Sequence, residues 1–268
     1  MYRFDYHRPS ALHQASALVR GRPEAKFLAG GMSLLSAMKL RLIGPSDLVD
    51  LSGIDELNGV SLNAGQIAIG GMSRHAVVAA SPVVQIHLPV IATLAAGIGD
   101  RQVRNRGTIG GSLANNDPSA CYPAGVLGLD AAIETDRRSI KADDFFVGMF
   151  ETALEPDEII VRVRFSLPRR AAYVKFHQPA SRFALVGVLV SELENGEIRV
   201  AVTGAGACVF RCREVERALQ VSWTPEAAES ANVPADGLNS DIHAASDYRA
   251  HLIRVLAGRA VASLQQAS

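Results

Sequence analysis

Residues 104–118 read RNRGTIGGSLANNDP, and this stretch decides how the chain is interpreted. The adjacent glycines Gly110 and Gly111 follow Thr108 and precede Ser112. Glycine lets a backbone approach a ligand closely, and an irregular segment of this length is more often functional than structural. The hydroxyls of Thr108 and Ser112, with backbone N–H groups, can line an anion or a ribose. A long polar surface turn is the alternative, and the segment alone leaves both interpretations open.

Another diglycine lies about eighty residues earlier, in the stretch AGGMSL at residues 29–34. It follows a short buried strand predicted over residues 26–29 and precedes a helix predicted over residues 33–41. The start of a helix carries unpaired N–H groups and a partial positive charge, which suit a phosphate. An ordinary tight turn with Ser33 as the helix cap is the competing explanation. Taken together, the two loops can grip the two phosphates of one dinucleotide.

Neither loop matches an established phosphate-binding fingerprint. The chain has no Gly-Lys-Ser/Thr of a P-loop, and neither diglycine fits the Gly-x-Gly-x-x-Gly pattern of a Rossmann fold. The nearest match is TGAGACV at residues 203–209, where Val209 replaces the third glycine and too little chain follows for a second half. No Gly-x-Ser-x-Gly elbow indicates a serine hydrolase.

The composition limits the class of protein. Of 268 residues, 48% are hydrophobic and 20% are charged, as in a globular protein with one large or two ordinary domains. The 27 basic and 27 acidic residues cancel, which argues against nucleic-acid binding. No run approaches the roughly 20 apolar residues that span a bilayer, so we expect no transmembrane segment. Because the start lacks a signal-peptide pattern, we expect a cytoplasmic protein.

The cysteines and histidines predict no metal centre. Three cysteines, Cys121, Cys208 and Cys212, are too few for a disulfide framework, and the last two lie four apart with no fitting histidine nearby. The seven histidines are scattered, and none forms a His-x-x-x-His pair. We therefore expect no iron–sulfur cluster and no zinc, and we assign no catalytic residue.

The hydrophobic pattern predicts two domains of mixed strands and helices. Strand, helix and strand over residues 26–51 form a βαβ unit, and Asn63-Ala64-Gly65 marks a hairpin in a second subdomain. Beyond Pro168 the strands precede the helices, which is typical of a separate α+β domain. Three strands are predicted there, at 172–177, 184–192 and 197–203, and then three helices, at 213–220, 225–231 and 246–264. The predicted domains are 1–168, with subdomains of about 1–56 and 57–168, and 169–268.

A third candidate segment, KFHQPASRFA at residues 175–184, joins two of the predicted C-terminal strands. Phe183 can meet a flat ring, and Arg182 can meet an anion or a carboxylate. A hairpin loop with one inward aromatic side chain explains the same residues without a ligand.

Further short motifs accompany these segments along the chain. They are FDYHRP (4–9), LVDL (48–51), IGG (69–71), QVRN (102–105), DFF (144–146), PDEII (156–160), ASRFA (180–184) and DYR (247–249). With RGTIGG at residues 106–111, the most specific of them, they cover nearly the whole chain. The chain thereby resembles the FAD-binding medium subunits of the molybdenum hydroxylases, the family of carbon monoxide dehydrogenase and xanthine dehydrogenase.

The resemblance implies an α+β fold. A vanillyl-alcohol-oxidase-type FAD-binding domain of two α/β subdomains, with FAD between them, precedes a small C-terminal domain with a three-stranded antiparallel sheet and helices. Residues 29–34 match the family's first pyrophosphate loop and residues 108–112 its second. Ile98, Ile160 and Phe183 fall where family members place residues near the isoalloxazine or the adenine. The implied cofactor-binding residues are Ala29, Gly30, Gly31, Met32, Ser33, Leu34, Ile98, Thr108, Ile109, Gly110, Gly111, Ser112, Asn115, Asp117, Cys121, Ile160 and Phe183.

The sequence departs from the family's pattern at three positions. The family has Asp-Pro-x-x-Asp after the second loop, whereas residues 117–121 read DPSAC, so Cys121 replaces an aspartate that helps bind the cofactor. Asn116 stands where a small residue is common, and Met32 where a polar one is common. None of these changes removes a backbone contact to phosphate, so FAD is still expected to bind, with a weaker hold.

The resemblance also implies a function in electron transfer. Substrate is oxidised at a molybdenum centre in a large subunit, and electrons pass through the 2Fe–2S clusters of a small subunit to FAD in this chain. An external acceptor (a quinone, oxygen or NAD) then takes them, and a dimer of heterotrimers is the implied assembly. A free-standing flavin oxidase of the same fold remains an alternative, as does a non-catalytic scaffold subunit that has lost FAD.

Overall fold

The computed structural model describes residues 1–266 and contains both helices and strands. The strands are β1 (Asp5–His7), β2 (Lys26–Leu28), β3 (Asp47–Asp50), β4 (Val60–Asn63), β5 (Gln66–Gly70), β6 (Ala132–Thr135), β7 (Ser139–Lys141), β8 (Phe146–Gly148), β9 (Glu151–Thr152), β10 (Ile160–Ser166), β11 (Arg170–His177), β12 (Ala184–Glu192), β13 (Ile198–Thr203) and β14 (Phe210–Arg211). The helices are α1 (Leu12–Val19), α2 (Leu34–Lys39), α3 (His75–Ala80), α4 (Pro82–His87), α5 (Pro89–Ala96), α6 (Arg101–Arg106), α7 (Ile109–Asn115), α8 (Tyr122–Gly128), α9 (Ala142–Phe145), α10 (Arg213–Val221), α11 (Pro225–Ser230) and α12 (Ser246–Gln266).

The first sheet is parallel and has the order β1-β3-β2. The predicted βαβ unit is confirmed, since α2 connects β2 to its parallel neighbour β3. Leu48 and Val49 of β3 are buried, whereas β2 is exposed or half-buried, so the expectation that β2 is a buried strand is wrong. The end of β2 therefore lies near the surface, where the chain turns into the first diglycine.

The second sheet has the order β4-β5-β10-β6-β7, and all of its pairs are antiparallel. The hairpin predicted at Asn63-Ala64-Gly65 is confirmed as the connection between β4 and β5. Against β6, the register of β10 shifts between Ile160 and Arg162, so Val161 is one extra residue, a β-bulge. The carbonyl of Val161 accepts the N–H of Gly71 at 2.8 Å, which ties the segment after β5 to the bulge.

The C-terminal sheet has four strands in the order β11-β12-β13-β14, so the expectation of three strands is wrong. The additional strand, β14, has only two residues, which is too short to show the alternation that identifies a strand in sequence. The three C-terminal helices predicted from the sequence are confirmed as α10, α11 and α12.

Strand β12 is buried on both of its faces. Val186, Val188 and Val190 pack into a core shared with α12, while Leu189 belongs to the same core as the helices beside the second sheet. One face of the C-terminal sheet is covered by α12 and the other by the helices beside the second sheet. This packing holds the C-terminal sheet against residues 57–166.

The stretch 104–118, expected to be irregular, contains helical turns. Helix α6 ends at Arg106 and helix α7 begins at Ile109, with Gly107 and Thr108 between them. Each helix has fewer than eight residues, so neither repeats its apolar positions often enough to show helical periodicity. Among residues 1–266, no helix combines the length and the apolar character that crossing a membrane requires.

Candidate functional site

A cavity of about 940 Å³ lies where the first sheet, the second sheet and the C-terminal unit meet. Its volume is near the upper end of the range for ligand sites in proteins. The residues predicted from the sequence that line it are Ala29, Gly30, Gly31, Met32, Ser33, Leu34, Ile98, Thr108, Gly110, Gly111, Ser112, Asn115, Asp117, Cys121, Ile160 and Phe183. Ile109 does not: its side chain is fully buried in the core beneath α7, because it faces the sheet rather than the cavity.

The first loop, residues 29–34, leaves β2 and enters α2 with its N–H groups free. Among residues 1–266, no protein acceptor is paired with the N–H groups of Gly30, Gly31, Met32 and Ser33. Gly31 has a φ of +74°, a conformation that favours glycine. Successive free N–H groups around such a residue form a concave anion-binding surface. The first loop therefore fits a phosphate through its backbone.

The second loop, residues 107–112, differs because most of its amides already have protein partners. Ile109 donates to the carbonyl of Ser73 at 3.1 Å, Gly110 to that of Gly71 at 2.8 Å, and Gly111 to the Thr108 hydroxyl at 3.1 Å. Thr108 thus caps α7, which has a favourable N-terminal capping geometry. Most of the backbone N–H groups expected to face a ligand here are therefore already bonded; among residues 1–266 the N–H of Thr108 has no protein acceptor, and the side chains of Ser112 and of Asn115, further along α7, add polar groups.

The two loops are in direct contact. A Cβ atom on Gly30 would lie 2.2 Å from the carbonyl oxygen of Arg106 and 2.7 Å from Cα of Gly107. A Cβ atom on Gly111 would lie 3.1 Å from Cβ of Ala29. Only glycine fits at Gly30, because the neighbouring atoms belong to backbone that cannot rotate away. The two diglycines, far apart in sequence, consequently form one wall of the cavity.

Gly71 connects the second loop to the second sheet. Its N–H donates to Val161 in the β10 bulge, and its carbonyl accepts the N–H of Gly110, each at 2.8 Å. A Cβ atom on Gly71 would lie 2.3 Å from the carbonyl oxygen of Ile160, and one on Gly110 would lie 2.7 Å from that of Gly71. Tight backbone contacts therefore fix the position of the second loop.

His75 packs behind the second loop and is 4% exposed. A Cβ atom on Gly107 would lie 2.4 Å from its Nε2. Burial, and secondarily the positive charge of Arg104, lowers the pKa of His75 to about 4. The imidazole is therefore neutral at pH 7, and its Nδ1 and the hydroxyl of neighbouring Tyr122 have no partner among the described residues.

Asn116 ends α7 in a left-handed conformation, with a φ of +41°. Its buried amide Nδ2 donates to the carbonyls of Gly148 and Glu151, each at 2.8 Å. A small residue, common at this position in the family, lacks such an amide. Asn116 thus fixes the turn from which Asp117 enters the cavity.

Cys121 and Lys175 are in contact at the cavity wall. Cys121 is buried at the start of α8, and Lys175 extends from β11. The Nζ atom of Lys175 donates to the carbonyls of Gly97 at 2.7 Å and Arg182 at 3.2 Å, and lies 3.4 Å from Sγ of Cys121. Lys175 thereby links the loop that carries Phe183 to the helices beside the second sheet.

Glu158 is the cavity's most strongly paired carboxylate. Arg138 donates to it from Nε at 2.9 Å and Nη2 at 2.8 Å, and Thr135 donates its hydroxyl at 2.7 Å. The Arg138 guanidinium above all lowers the pKa of Glu158 to about 2. This carboxylate is therefore charged at pH 7 and has its partners within the protein.

Sequence reasoning missed four residues of the site. Gly71 lies in the IGG motif and Lys175 opens the KFHQPASRFA segment, so both were quoted without a role. His75 had no usable signal, because a lone histidine is usually a packing residue. Glu158 was quoted within PDEII without a role, because it is placed by its partner Arg138, 20 residues away. Among residues 1–266, no group of three or more histidine, cysteine or acidic side chains is arranged to hold a metal ion.

Comparison with known proteins identifies the family. A family profile described as the FAD binding domain in molybdopterin dehydrogenase matches residues 2–169. The chain is 35% identical to the nicotine 6-hydroxylase medium subunit of Paenarthrobacter nicotinovorans, over 96% of this chain and 95% of that protein. It is also 35% identical to the carbon monoxide dehydrogenase medium chain of Hydrogenophaga pseudoflava, over 97% and 96% of the two chains.

A solved structure shows the same fold along the whole chain. Carbon monoxide dehydrogenase from Hydrogenophaga pseudoflava, in a form lacking the Mo-pyranopterin moiety of its cofactor, superposes with a TM-score of 0.91 at 34% identity. The match covers 99% of this chain and 98% of that one. The full-length likeness and the family profile together show that this chain belongs to the FAD-binding medium subunits of the molybdenum hydroxylases.

Proposed function

We propose that this chain passes electrons from the 2Fe–2S clusters of a small partner subunit through FAD to an external acceptor. When bound, FAD supplies the redox chemistry, while the protein binds it, orients it and sets its electrostatic surroundings. The observation that carries the proposal is the direct contact of the two diglycine loops at the wall of a single cavity.

We assign the diphosphate of FAD to the first loop. Its four free N–H groups, from Gly30 to Ser33, can donate to phosphate oxygens without breaking a bond within the protein. The second loop, which contacts the first, adds the hydroxyl of Ser112, and Asn115 at the end of α7 adds its side-chain amide. The remaining cavity-lining residues of the predicted set are proposed as contacts along the rest of the cofactor, and Ile109 supports the second loop from the core.

The proposed division of the chain is into a FAD-binding domain, residues 1–168, with subdomains of about 1–56 and 57–168, and a C-terminal domain from residue 169. The gap between β10, which ends at Ser166, and β11, which begins at Arg170, supports it. So does the family profile, which ends at residue 169. In this proposal the C-terminal domain contributes Lys175 and Phe183 to the cavity.

The proposed partners are a large molybdenum-cofactor subunit and a small 2Fe–2S subunit, in a dimer of heterotrimers in the cytoplasm. The names of the similar proteins support partners: one is a medium subunit, one a medium chain, and another a subunit of a dehydrogenase complex. A quinone, oxygen or NAD is the proposed acceptor.

FAD binding can be tested at Gly111. Replacing Gly111 with valine adds a branched side chain at a crowded position. Its Cβ atom alone would lie 2.9 Å from the Thr108 hydroxyl oxygen and 3.1 Å from Cβ of Ala29. We expect FAD affinity to fall at least about hundredfold, about 3 kcal/mol, in fluorescence titrations of the full chain. Gly148→Ala is the matched control, because its Cβ would meet only the side chain of Glu151, at 3.3 Å. A folded Gly111→Val chain that retained FAD would contradict the loop assignment.

The electron-transfer role can be tested by isolating the chain from cells that express the proposed partners. Co-purification with a molybdenum subunit and a 2Fe–2S subunit, and flavin reduction only when both are present and substrate is added, is the expected result. Substrate oxidation by this chain with FAD alone would favour a free-standing oxidase. Assembly with the partners without any flavin uptake would favour a scaffold subunit.

A further inference from the structure

Lys175 places a positive charge at the cavity wall, where its hydrogen-bond partners among the described residues are uncharged. Its ammonium is held by the carbonyls of Gly97 and Arg182 and by Sγ of Cys121, at 2.7, 3.2 and 3.4 Å. Among residues 1–266, no carboxylate forms an ion pair with it. Two carbonyls and a sulfur fix the position of the ammonium without cancelling its charge.

The other charged groups of the cavity are either already bonded or exposed. Glu158 is paired with Arg138, whereas the half-buried Asp117 carboxylate accepts the N–H of Ser119 at 2.8 Å and keeps its negative charge. Lys26 and Arg182 also line the cavity, but both are exposed to solvent, which screens their charges. Lys175 is half-buried, so its charge acts across the cavity with less screening.

The contacts of Lys175 are made outside the proposed diphosphate site. None of its three partners belongs to the diglycine loops; they adjoin or include Ile98, Cys121 and Phe183. With the diphosphate at the diglycines, Lys175 would contact a ring system of the bound cofactor rather than its phosphates. The adenine ring keeps its charge during turnover, whereas the flavin ring gains negative charge when it is fully reduced at neutral pH.

We propose that the Lys175 ammonium stabilises the negative charge that the flavin ring of bound FAD gains on reduction, and that Cys121 leaves this positive charge uncompensated. A carboxylate in place of the thiol would lie next to the ammonium and neutralise it. Lys175 is thus a residue that sets the flavin's reduction equilibrium, and Cys121 determines how much of its charge the flavin experiences. This inference rests on the proposed function.

The test is a reductive titration of the FAD-loaded full chain against a reference dye, followed by flavin absorbance. We expect Lys175→Met and Cys121→Asp each to shift the equilibrium about tenfold towards oxidised flavin, which is about 30 mV for a two-electron couple. Lys175→Arg, which keeps the charge, and Cys121→Asn, which has the shape of aspartate without its charge, should stay near the wild-type value. FAD affinity and circular dichroism of every variant report whether the site and the fold are intact.

The outcomes separate this inference from the proposed function. A wild-type chain that takes up no flavin would overturn both. Flavin-loaded variants whose reduction equilibrium matches the wild type, or equal shifts in Cys121→Asp and Cys121→Asn, would overturn the inference and leave the proposed function standing. A loss of FAD affinity that is the same for oxidised and reduced flavin would also overturn it, because Lys175 would then contact a part of the cofactor whose charge is constant.

Discussion

The two diglycine loops share a sequence signature but differ in what their backbones do. In the first, residues 29–34, four successive N–H groups have no partner among the described residues. In the second, residues 107–112, the amides of Ile109, Gly110 and Gly111 are bonded within the protein, and Gly110 packs against the backbone of Gly71. In the first loop glycine therefore serves both ligand access and, at Gly30, close packing against the second loop, whereas in the second loop it serves close packing.

The difference shows that a diglycine motif does not by itself indicate which role its glycines have. The neighbouring chain decides: the first loop leaves a short parallel strand near the surface, while the second lies between two helices and is pressed against the end of β5. Changes in the first loop should therefore act mainly on FAD affinity, and changes at Gly110, the glycine of the second loop that packs on Gly71, mainly on the stability of the fold.

Among the variants considered, Gly30→Ala should have the largest effect on FAD affinity, because the added methyl group pushes the two loops apart. Its Cβ would lie 2.2 Å from the Arg106 carbonyl oxygen, so one backbone must move. We expect FAD affinity to fall more than about hundredfold, about 3 kcal/mol, by isothermal titration calorimetry. An affinity within about threefold of the wild type would show that the contact between the loops is unimportant for binding.

Gly110→Ala should destabilise the chain even without FAD. Its Cβ would lie 2.7 Å from the carbonyl oxygen and 2.9 Å from Cα of Gly71, in a buried place where overpacking costs about 1–3 kcal/mol. We expect a loss of about 2–3 kcal/mol in the free energy of unfolding, measured by urea denaturation. Gly97→Ala is the matched control, with its nearest contact at 3.5 Å. Equal stability of the two variants would mean that the second loop is not a packing element.

His75 behind the second loop should make stability depend on pH. Its folded pKa of about 4 lies below the ordinary value of 6.5, so the unfolded chain binds more protons between these values and stability falls as the pH falls through that window. His75 should account for about 2 kcal/mol of the loss between pH 6.5 and pH 5, because each pKa unit is worth about 1.4 kcal/mol.

Urea denaturation of a His75→Gln variant at pH 5 and pH 7 checks this dependence. The variant should lose less stability than the wild type between the two pH values, whatever its stability at pH 7. His87→Gln, at an exposed position, is the control and should keep the wild-type dependence. An unchanged pH dependence in His75→Gln would mean that this histidine is protonated equally in both states.

The sequence predicted most of the elements and the residues that gather at the cavity. Periodicity identified the βαβ unit, the β4–β5 hairpin and the three C-terminal helices, because each repeats its apolar pattern or is bounded by turn residues. The family resemblance supplied the FAD-binding assignment and the set of residues around the cavity. The spacing of the two diglycines alone was insufficient to predict either.

The features that the sequence did not predict are short or depend on distant partners. Helices α6 and α7 and strand β14 are too short to show a period. The amides of Ile109 and Gly110 in the second loop are hydrogen-bonded to the carbonyls of Ser73 and Gly71, which lie more than 30 residues earlier in the chain. The sequence does not show that Lys175 lies next to Gly97 and Cys121, because these contacts depend on where β11 lies in the folded chain.

The extra residue in β10 sets the geometry of the ligand cavity from outside it. Val161 accepts a hydrogen bond from Gly71, and Gly71 accepts one from Gly110. Through this relay of hydrogen bonds, the number of residues in β10 determines the position of the second loop. Deleting Val161 would put the following side chains on opposite faces and remove the first support of that relay. For protein engineering, Val161 is thus a point outside the cavity lining at which the width of the cavity can be adjusted. A redesign that regularises this strand would narrow or widen the cofactor site without altering any residue of either diglycine.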